Sequence, residues 1–211
     1  MLHRLGFGPR RIGATPPTLE GDLMLEKLPT AVGRALRNTR PGLAQLVFND
    51  AGLGEVTATI RMSSRAFADG GKLPTIYTAD GEKLSPPLAW EGVPAAACSL
   101  VLLVEDADSP TPSPLVHAIV WDLAPRDGEL VEGALSSDSQ PSGIGLNSFM
   151  QRGYLPPDPP RAHGVHHYAF QLLACDCPLD FDSAPGRTRL LEALRGHVIA
   201  KGCLVGTYER L

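Results

Sequence analysis

The chain has 211 residues, 43% of them hydrophobic, which suffices for one substantial core and predicts one main folded domain. Its formal net charge of −4 at pH 7 argues against nucleic acid as the main partner, because no strongly basic field is available to neutralise phosphates. With 22 glycines and 20 prolines, the chain is expected to contain many turns and to be rich in β-strands.

The N-terminal quarter differs in charge from the rest, and we predict an N-terminal extension over residues 1–54 and a domain over residues 55–211. The first 40 residues carry seven Lys or Arg and three Asp or Glu, so the remaining residues sum to −8. A basic amphipathic helix is predicted in the extension, with Pro29 in its first turn and a stop at Asn38 and Pro41. Its apolar residues repeat at helical spacing: Leu28, Ala31, Val32, Ala35 and Leu36.

The role of this helix is open among three alternatives. We favour packing on the chain's own domain over docking onto a partner protein or a membrane, since most amphipathic helices cover a core of their own chain. A third alternative makes the extension the contact of a homodimer.

The cysteines and the N-terminus bear on the cellular compartment. Cys98, Cys175, Cys177 and Cys203 lie within or beside apolar runs and lack the paired spacing of zinc ligands. We interpret them as reduced, mostly buried thiols. No stretch is long and apolar enough to span a bilayer, and the first 11 residues contain no hydrophobic segment typical of a secretion signal. The expected location is therefore the cytoplasm.

Short segments with β character follow the extension, separated by turn clusters rich in Gly, Pro and Asp. The predicted strands cover residues 56–60, 99–104, 116–123, 165–173 and 204–208. One further helix is predicted over residues 188–197. Its apolar face is formed by Leu190, Leu191, Leu194 and Val198.

Two acidic residues follow the most apolar strand. Asp106 and Asp108 stand two positions apart, and side chains at i and i+2 of an extended segment leave the same face. An ordinary acidic turn closed by Pro110 explains the pair equally well when it is taken alone. Burial of both carboxylates, by contrast, requires a ligand, a cation or a histidine beside them.

Histidines and a tyrosine on two other predicted strands are the further candidates. His117 should share a face with Ile119 and Trp121, where a lone histidine is more often a core residue than a ligand. Alternation places His166 and Tyr168 on one face of their strand and His167 on the other. Only one of the two adjacent histidines can therefore enter a given pocket.

The order of these motifs resembles the phosphatidylethanolamine-binding protein family, and more narrowly its bacterial branch of Raf-kinase-inhibitor-like proteins. The motifs that carry the resemblance are residues 64–70 (Ser-Arg-Ala-Phe-Ala-Asp-Gly), 85–90 (Ser-Pro-Pro-Leu-Ala-Trp), 106–110 (Asp-Ala-Asp-Ser-Pro), 116–117 (Val-His), 153–154 (Gly-Tyr) with 159–160 (Pro-Pro), and 166–168 (His-His-Tyr). Six ordered motifs together are specific where any one of them is weak.

The resemblance implies a mainly β fold, an antiparallel β-sandwich with a few peripheral helices and a small anion-binding pocket at one edge. The family's pocket positions fall on Asp106, Asp108, His117, Pro159, Pro160, His166 and Tyr168. The peptide bond between Ser109 and Pro110 is a candidate for the cis form, because the corresponding bond can be cis in the family.

These positions favour a binding protein with a regulatory or inhibitory role for a phosphate or other anionic head group, with no cofactor. One Asp would orient a histidine and raise the pKa of that histidine, while the second Asp would face an ammonium group. Two alternatives remain: a protein-interaction module without a small ligand, and a metal-dependent hydrolase. The hydrolase would use Asp106, Asp108, His117 and His166 as metal ligands. It is disfavoured because the chain has no H-E-x-x-H, G-x-S-x-G or P-loop motif.

Overall fold

The structure is a computed structural model that describes residues 29–135 and 143–211. Most of the predicted extension, including Leu28, lies outside these residues. The helices are α1 (Thr30–Leu36) and α2 (Arg187–Leu194). The strands are β1 (Ala58–Thr59), β2 (Arg61–Ser63), β3 (Leu88–Glu91), β4 (Ser99–Asp106), β5 (Leu115–Leu123), β6 (Gly128–Leu130), β7 (His166–Cys175) and β8 (Val198–Tyr208).

Two sheets confirm the predicted mainly β fold. The larger sheet has the strand order β1-β8-β7-β4-β5, and the smaller has the order β2-β3-β6. All pairings between these strands are antiparallel except that of β1 with β8, which is parallel, so the larger sheet is mixed and the purely antiparallel expectation is corrected there. The predicted strand over residues 56–60 splits at Ile60, because the chain passes from the larger sheet into the smaller one at that point.

The central strands β4 and β7 are mostly apolar because both faces of the larger sheet are covered. Every residue of β4 is buried, whereas β8 alternates between buried and half-buried positions. One face packs against the smaller sheet in a core that includes Ile60, Leu88, Trp90, Leu102 and Phe170. The other face packs against α2 and short 3-10 helices in a core that includes Val47, Leu53, Leu103, Leu190 and Leu194.

Strand β8 begins at Val198, six residues before the predicted start. Gly202 interrupts its apolar pattern, and the reason is a close approach of two strands. A Cβ atom at Gly202 would overlap the carbonyl oxygen of Ile60, so this position accommodates only glycine without a shift of the backbone.

The helices are present but differ in detail from their predictions. Helix α2 ends at Leu194 rather than at residue 197, because Arg195 is extended and Gly196 has a φ of +74°. Helix α1 does not pack through its apolar stripe: Ala31, Val32 and Ala35 are exposed, and only Gly33 is buried. A Cβ atom at Gly33 would overlap the carbonyl oxygen of Arg161, so α1 contacts the domain through its bare backbone.

Three further expectations concern the cysteines, the proline geometry and the membrane. The cysteines are free as predicted, but only Cys175 is fully buried, while Cys98 is exposed.

The described residues contain no cis peptide bond, so the bond before Pro110 has the trans form that is intrinsically lower in energy. Among the described residues, no helix has both the length and the apolarity to cross a membrane.

Candidate functional site

Two neighbouring strands bring the predicted acidic and aromatic residues together at one end of the larger sheet. Asp106 is the last residue of β4 and lies directly across from Tyr168 of β7. His166 and Tyr168 are both buried, and their rings are stacked with centroids 6.3 Å apart, whereas the His167 side chain is 38% exposed. The prediction that His166 and Tyr168 share a face is therefore confirmed.

His117 reaches the same place through a β-bulge. Val104 pairs with Ala118 and Glu105 pairs with Val116, so His117 is an extra residue in β5. The prediction that His117 shares a face with Ile119 and Trp121 is wrong, because the bulge breaks the alternation between them. The His117 ring packs edge-on against the ring of Tyr168, with centroids 5.1 Å apart.

The polar atoms of His117 and Tyr168 are buried and unpaired within the described part of the chain. His117 Nδ1 lies 2.6 Å from the carbonyl oxygen of Leu155 and must donate to it, which leaves Nε2 with a lone pair in the neutral ring. Nε2 of His117 and Oη of Tyr168 have no hydrogen-bond partner among residues 29–135 and 143–211. An unpaired buried polar group costs about 1–3 kcal/mol.

Burial also shifts the ionisation of these two groups. Desolvation lowers the pKa of His117, although the negative charge of Asp106 opposes this effect. Desolvation and the same carboxylate raise the pKa of Tyr168 well above its usual value. In the free protein at neutral pH the pair is therefore a neutral imidazole beside a phenol.

Asp106 is the end of a hydrogen-bonded chain through two histidines. Its Oδ2 lies 2.8 Å from Nδ1 of His166, and Nε2 of His166 lies 2.7 Å from Nδ1 of His163. Nε2 of His163 lies 2.9 Å from the carbonyl oxygen of Leu36, the last residue of α1. The polar ring atoms of His166 are thus used within the protein and do not face a ligand directly.

Hydrogen bonds to both oxygens offset the charge of Asp106. Its Oδ2 accepts from Nδ1 of His166, and its Oδ1 accepts from the backbone N–H of Asp108. At the other end of the chain, the bond to Leu36 requires a proton on Nε2 of His163, because a carbonyl oxygen can only accept.

Asp108 does not point to the same place as Asp106, which corrects the prediction of a shared face. Strand β4 ends at Asp106, and the following turn directs Asp108 toward His167 and Arg40. Its Oδ2 accepts from the backbone N–H and from Nδ1 of His167, and its Oδ1 accepts from Arg40. Burial alone would raise the pKa of Asp108, but these hydrogen bonds lower it overall. Asp108 is therefore already occupied and is not available to an ammonium group.

Arg40 attaches the segment after α1 to this end of the sheet. Besides Asp108 at 2.8 Å, it donates to the carbonyl oxygens of Val165, at 2.6 Å, and of His163. The sequence analysis did not single out Arg40 or His163. The spacing of His163 and His166 at i and i+3 was a visible but weak signal, whereas Arg40 was one of several basic residues in the extension.

Replacing Arg40 tests the contribution of these hydrogen bonds to stability. We expect Arg40→Ala to lower the free energy of unfolding by about 2 kcal/mol, because the three charge-assisted hydrogen bonds of Arg40 to the domain are lost and Asp108 keeps fewer partners. We also expect faster proteolysis within residues 29–54, measured by limited digestion and mass spectrometry. Arg34→Ala, at an exposed position of α1, is the matched control. Equal digestion rates for both variants and the wild type would contradict the claim that Arg40 attaches the segment after α1 to the sheet.

The remaining predicted residues lie beside a second ion-paired group. Pro159 and Pro160 are buried, and Pro160 faces α1 near Gly33. Arg210 forms ion pairs with Asp158 and, at 2.6 Å, with Asp80. Asp158 is close enough for its charge to act on His117, and its ion pair with Arg210 offsets that charge.

The four residues of the alternative metal site have other partners in the described part of the chain. Asp106 is bonded to His166, both ring nitrogens of His166 are used, and Asp108 is directed toward His167 and Arg40, so the described residues do not group these four as metal ligands. In the described residues, the grouping of potential metal ligands within 4.8 Å of one another is a different one, Asp176, Cys177 and His197.

Comparisons with known proteins find relatives of this chain in sequence and in structure. The sequence model of the family described as phosphatidylethanolamine-binding protein matches residues 63–209. A protein of Methanothermobacter thermautotrophicus named UPF0098 protein is 38% identical over 153 residues, which cover 72% of this chain and 99% of that protein. Asp106, His117, His166 and Tyr168 lie inside the family match, whereas Arg40 lies outside it.

Two crystal structures are similar to the fold. One is a putative phosphatidylethanolamine-binding protein homolog of Chlamydia trachomatis, with 38% identity, a TM-score of 0.67, and coverage of 74% of this chain and 100% of that chain. The other is YbcL of E. coli, described as a new member of the mammalian family, with 27% identity, a TM-score of 0.67, and coverage of 72% of this chain and 99% of that chain.

Proposed function

Because the chain belongs to the phosphatidylethanolamine-binding protein family, we propose that the site at His117 and Tyr168 binds a small anionic, phosphate-type ligand in a regulatory rather than a catalytic role. The observation that carries the proposal is the pair of buried atoms, Nε2 of His117 and Oη of Tyr168, that lack partners in the described residues. A cytoplasmic location, an interaction with a protein partner and a homodimeric state stay predictions from the sequence.

An anion would satisfy both atoms at once. The phenol of Tyr168 donates to an acceptor oxygen, and Nε2 of His117 becomes a second donor when the ring is protonated. The surrounding carboxylates are each engaged by other groups, because Asp106 accepts from His166 and from the backbone N–H of Asp108, and Asp158 is paired with Arg210.

The ionisation states of Tyr168 and His117 favour ligand binding over catalysis. The raised pKa keeps Tyr168 protonated, so it is a donor and not a nucleophile. His117 is held by a main-chain carbonyl rather than a carboxylate, and burial lowers its pKa, which weakens it as a general base near neutral pH.

The pH dependence of binding tests the role of His117. The pKa of His117 is lowered in the free protein, and the negative charge of a bound anion raises it. The affinity for the anion is therefore constant at pH values above the pKa of His117 in the complex. It increases as the pH falls from that value toward the pKa of His117 in the free protein. We expect anions to bind about tenfold more tightly at pH 6 than at pH 8, measured by calorimetry. Sulfate is the main probe because its charge is constant in this range, and inorganic phosphate is the second.

Variants separate the two donors. His117→Gln cannot become charged and should lose the pH dependence, while Tyr168→Phe keeps the ring and should weaken binding about tenfold at both pH values. His167→Gln, on the opposite face of β7, should bind sulfate like the wild type. Equal sulfate affinity at pH 6 and pH 8 in the wild type would refute the protonated-histidine mechanism, and no binding of either anion would refute the site.

A further inference from the structure

Residues with metal-binding chemistry meet at the end of the larger sheet opposite the anion site. Asp176 and Cys177 follow the last residue of β7, and His197 immediately precedes β8. Both Asp106 and His166 lie at the other ends of β4 and β7, so the two places are separated by the length of these strands, about 25 Å at 3.3 Å per residue.

The three side chains already stand close together. One ligand atom from each of Asp176, Cys177 and His197 lies within 4.8 Å of the other two. Oδ1 of Asp176 lies 3.0 Å from Nδ1 of His197. Asp176 and His197 are exposed and Cys177 is half-buried, so an ion can reach the cluster from solvent.

The backbone at this end of the sheet fixes the positions of the three residues. The N–H of Asp176 donates to the carbonyl oxygen of His197 at 3.0 Å. The hydroxyl of Ser99, the first residue of β4, donates to the carbonyl oxygen of Cys177 at 2.9 Å. Three adjacent strands thus hold the cluster, and little rearrangement is needed to bind an ion.

We propose that Asp176, Cys177 and His197 bind a zinc ion. A thiolate, an imidazole and a carboxylate form the mixed sulfur, nitrogen and oxygen set that suits Zn²⁺, whereas Mg²⁺ and Ca²⁺ prefer oxygen ligands alone. In a tetrahedral site with metal–ligand distances of about 2.0–2.3 Å, neighbouring ligand atoms are roughly 3.3–3.8 Å apart. The ligand atoms now lie within 4.8 Å of one another, so binding requires them to approach by roughly 1 Å at most sites of the tetrahedron.

The fourth position of the tetrahedron remains for water or a further thiol. Cys98 precedes β4, and its N–H donates to the carbonyl oxygen of Cys175 at 2.8 Å. This bond places Cys98 beside the end of β7, where Asp176 and Cys177 follow. The site thus brings together residues that flank three strands, and their spacing along the chain gives no sign of it.

Cobalt titration tests the site directly. The full-length protein is reduced, treated with a chelator and titrated with Co²⁺, whose thiolate charge-transfer and visible d–d absorption bands report sulfur coordination and tetrahedral geometry. We expect one Co²⁺ per chain with both features, and stoichiometric displacement by Zn²⁺. A titration without a thiolate charge-transfer band would overturn the proposal.

Variants assign the band to the cluster. Cys177→Ser should reduce the charge-transfer band by half or more, and His197→Ala should weaken Zn²⁺ binding by about 100-fold or more, as expected for loss of a ligand rather than of an outer residue. Cys203→Ser, at another half-buried cysteine, should behave like the wild type. Asp176→Asn, at an exposed position, should also weaken Zn²⁺ binding and provides a second test if Cys177→Ser fails to fold. Retention of wild-type Zn²⁺ affinity in both Asp176→Asn and His197→Ala would overturn the proposal.

Discussion

Asp106→Ala is expected to lower the free energy of unfolding at pH 7 by about 3–5 kcal/mol, the range found when one partner of a buried ionic group is removed. Asp106 accepts from His166 and also from the backbone N–H of Asp108 at 2.8 Å. Without the carboxylate, the fully buried His166 either carries an uncompensated charge or leaves its Nδ1 unpaired. Chemical denaturation gives the measurement, from the midpoint and slope of the transition.

Two further variants define the origin of this loss. Asp106→Asn retains an oxygen that can accept from a neutral His166, so its loss should be smaller than that of the alanine variant. Asp182→Ala removes a carboxylate from a fully exposed side chain and should change stability by less than about 0.5 kcal/mol. An Asp106→Ala variant as stable as the wild type would show that the histidine chain does not depend on its acidic end.

Glu105→Ala is expected to cost about 3 kcal/mol, because a fully buried carboxylate with several donors is removed. Glu105 accepts from the N–H of Val47 at 2.9 Å, from the amide of Gln171 at 2.9 Å and from Arg187 at 2.6 Å. It therefore ties a 3-10 helix and the start of α2 to the centre of the larger sheet. The measurement is again the midpoint of chemical denaturation.

The control for Glu105 is an ion pair on the surface. Glu91 and Arg61 are paired at 2.6 Å, but both side chains are mostly exposed, so Glu91→Ala should cost at most about 0.5 kcal/mol. Glu105→Gln keeps the shape and part of the hydrogen bonding and should lie between the wild type and the alanine variant. Equal costs for the alanine variants at positions 91 and 105 would contradict a structural role of the buried carboxylate.

Regular alternation predicted the part of the site that lies in regular strands. His166 and Tyr168 were placed on one face correctly, because β7 pairs with β8 from His166 to Ala174 without a register shift. His117 was assigned to the wrong neighbours because a bulge adds one residue to β5, and a single sequence contains no signal for that addition. Asp108 was misplaced for a related reason: β4 ends at Asp106, and alternation does not extend into a turn.

Contacts between distant segments were beyond sequence reasoning. Arg40 and Asp108 are 68 residues apart, and the bond from His163 to Leu36 spans 127 residues. Helical periodicity predicted α1 but not its contact surface, because the helix approaches the domain at Gly33 rather than through its larger apolar residues. Local sequence patterns thus predicted the strands that form the core, whereas the contacts of the extension depend on how distant segments meet in the fold.

The attachment of the extension has an evolutionary consequence that follows from the atoms it uses. Arg40 binds the main-chain oxygens of Val165 and His163, and His163 in turn binds the main-chain oxygen of Leu36. Every residue type carries such an oxygen, so substitutions at positions 165 and 36 can accumulate without breaking these bonds. Mutational sensitivity should therefore concentrate at Arg40, His163 and Asp108, whose side chains have no backbone substitute.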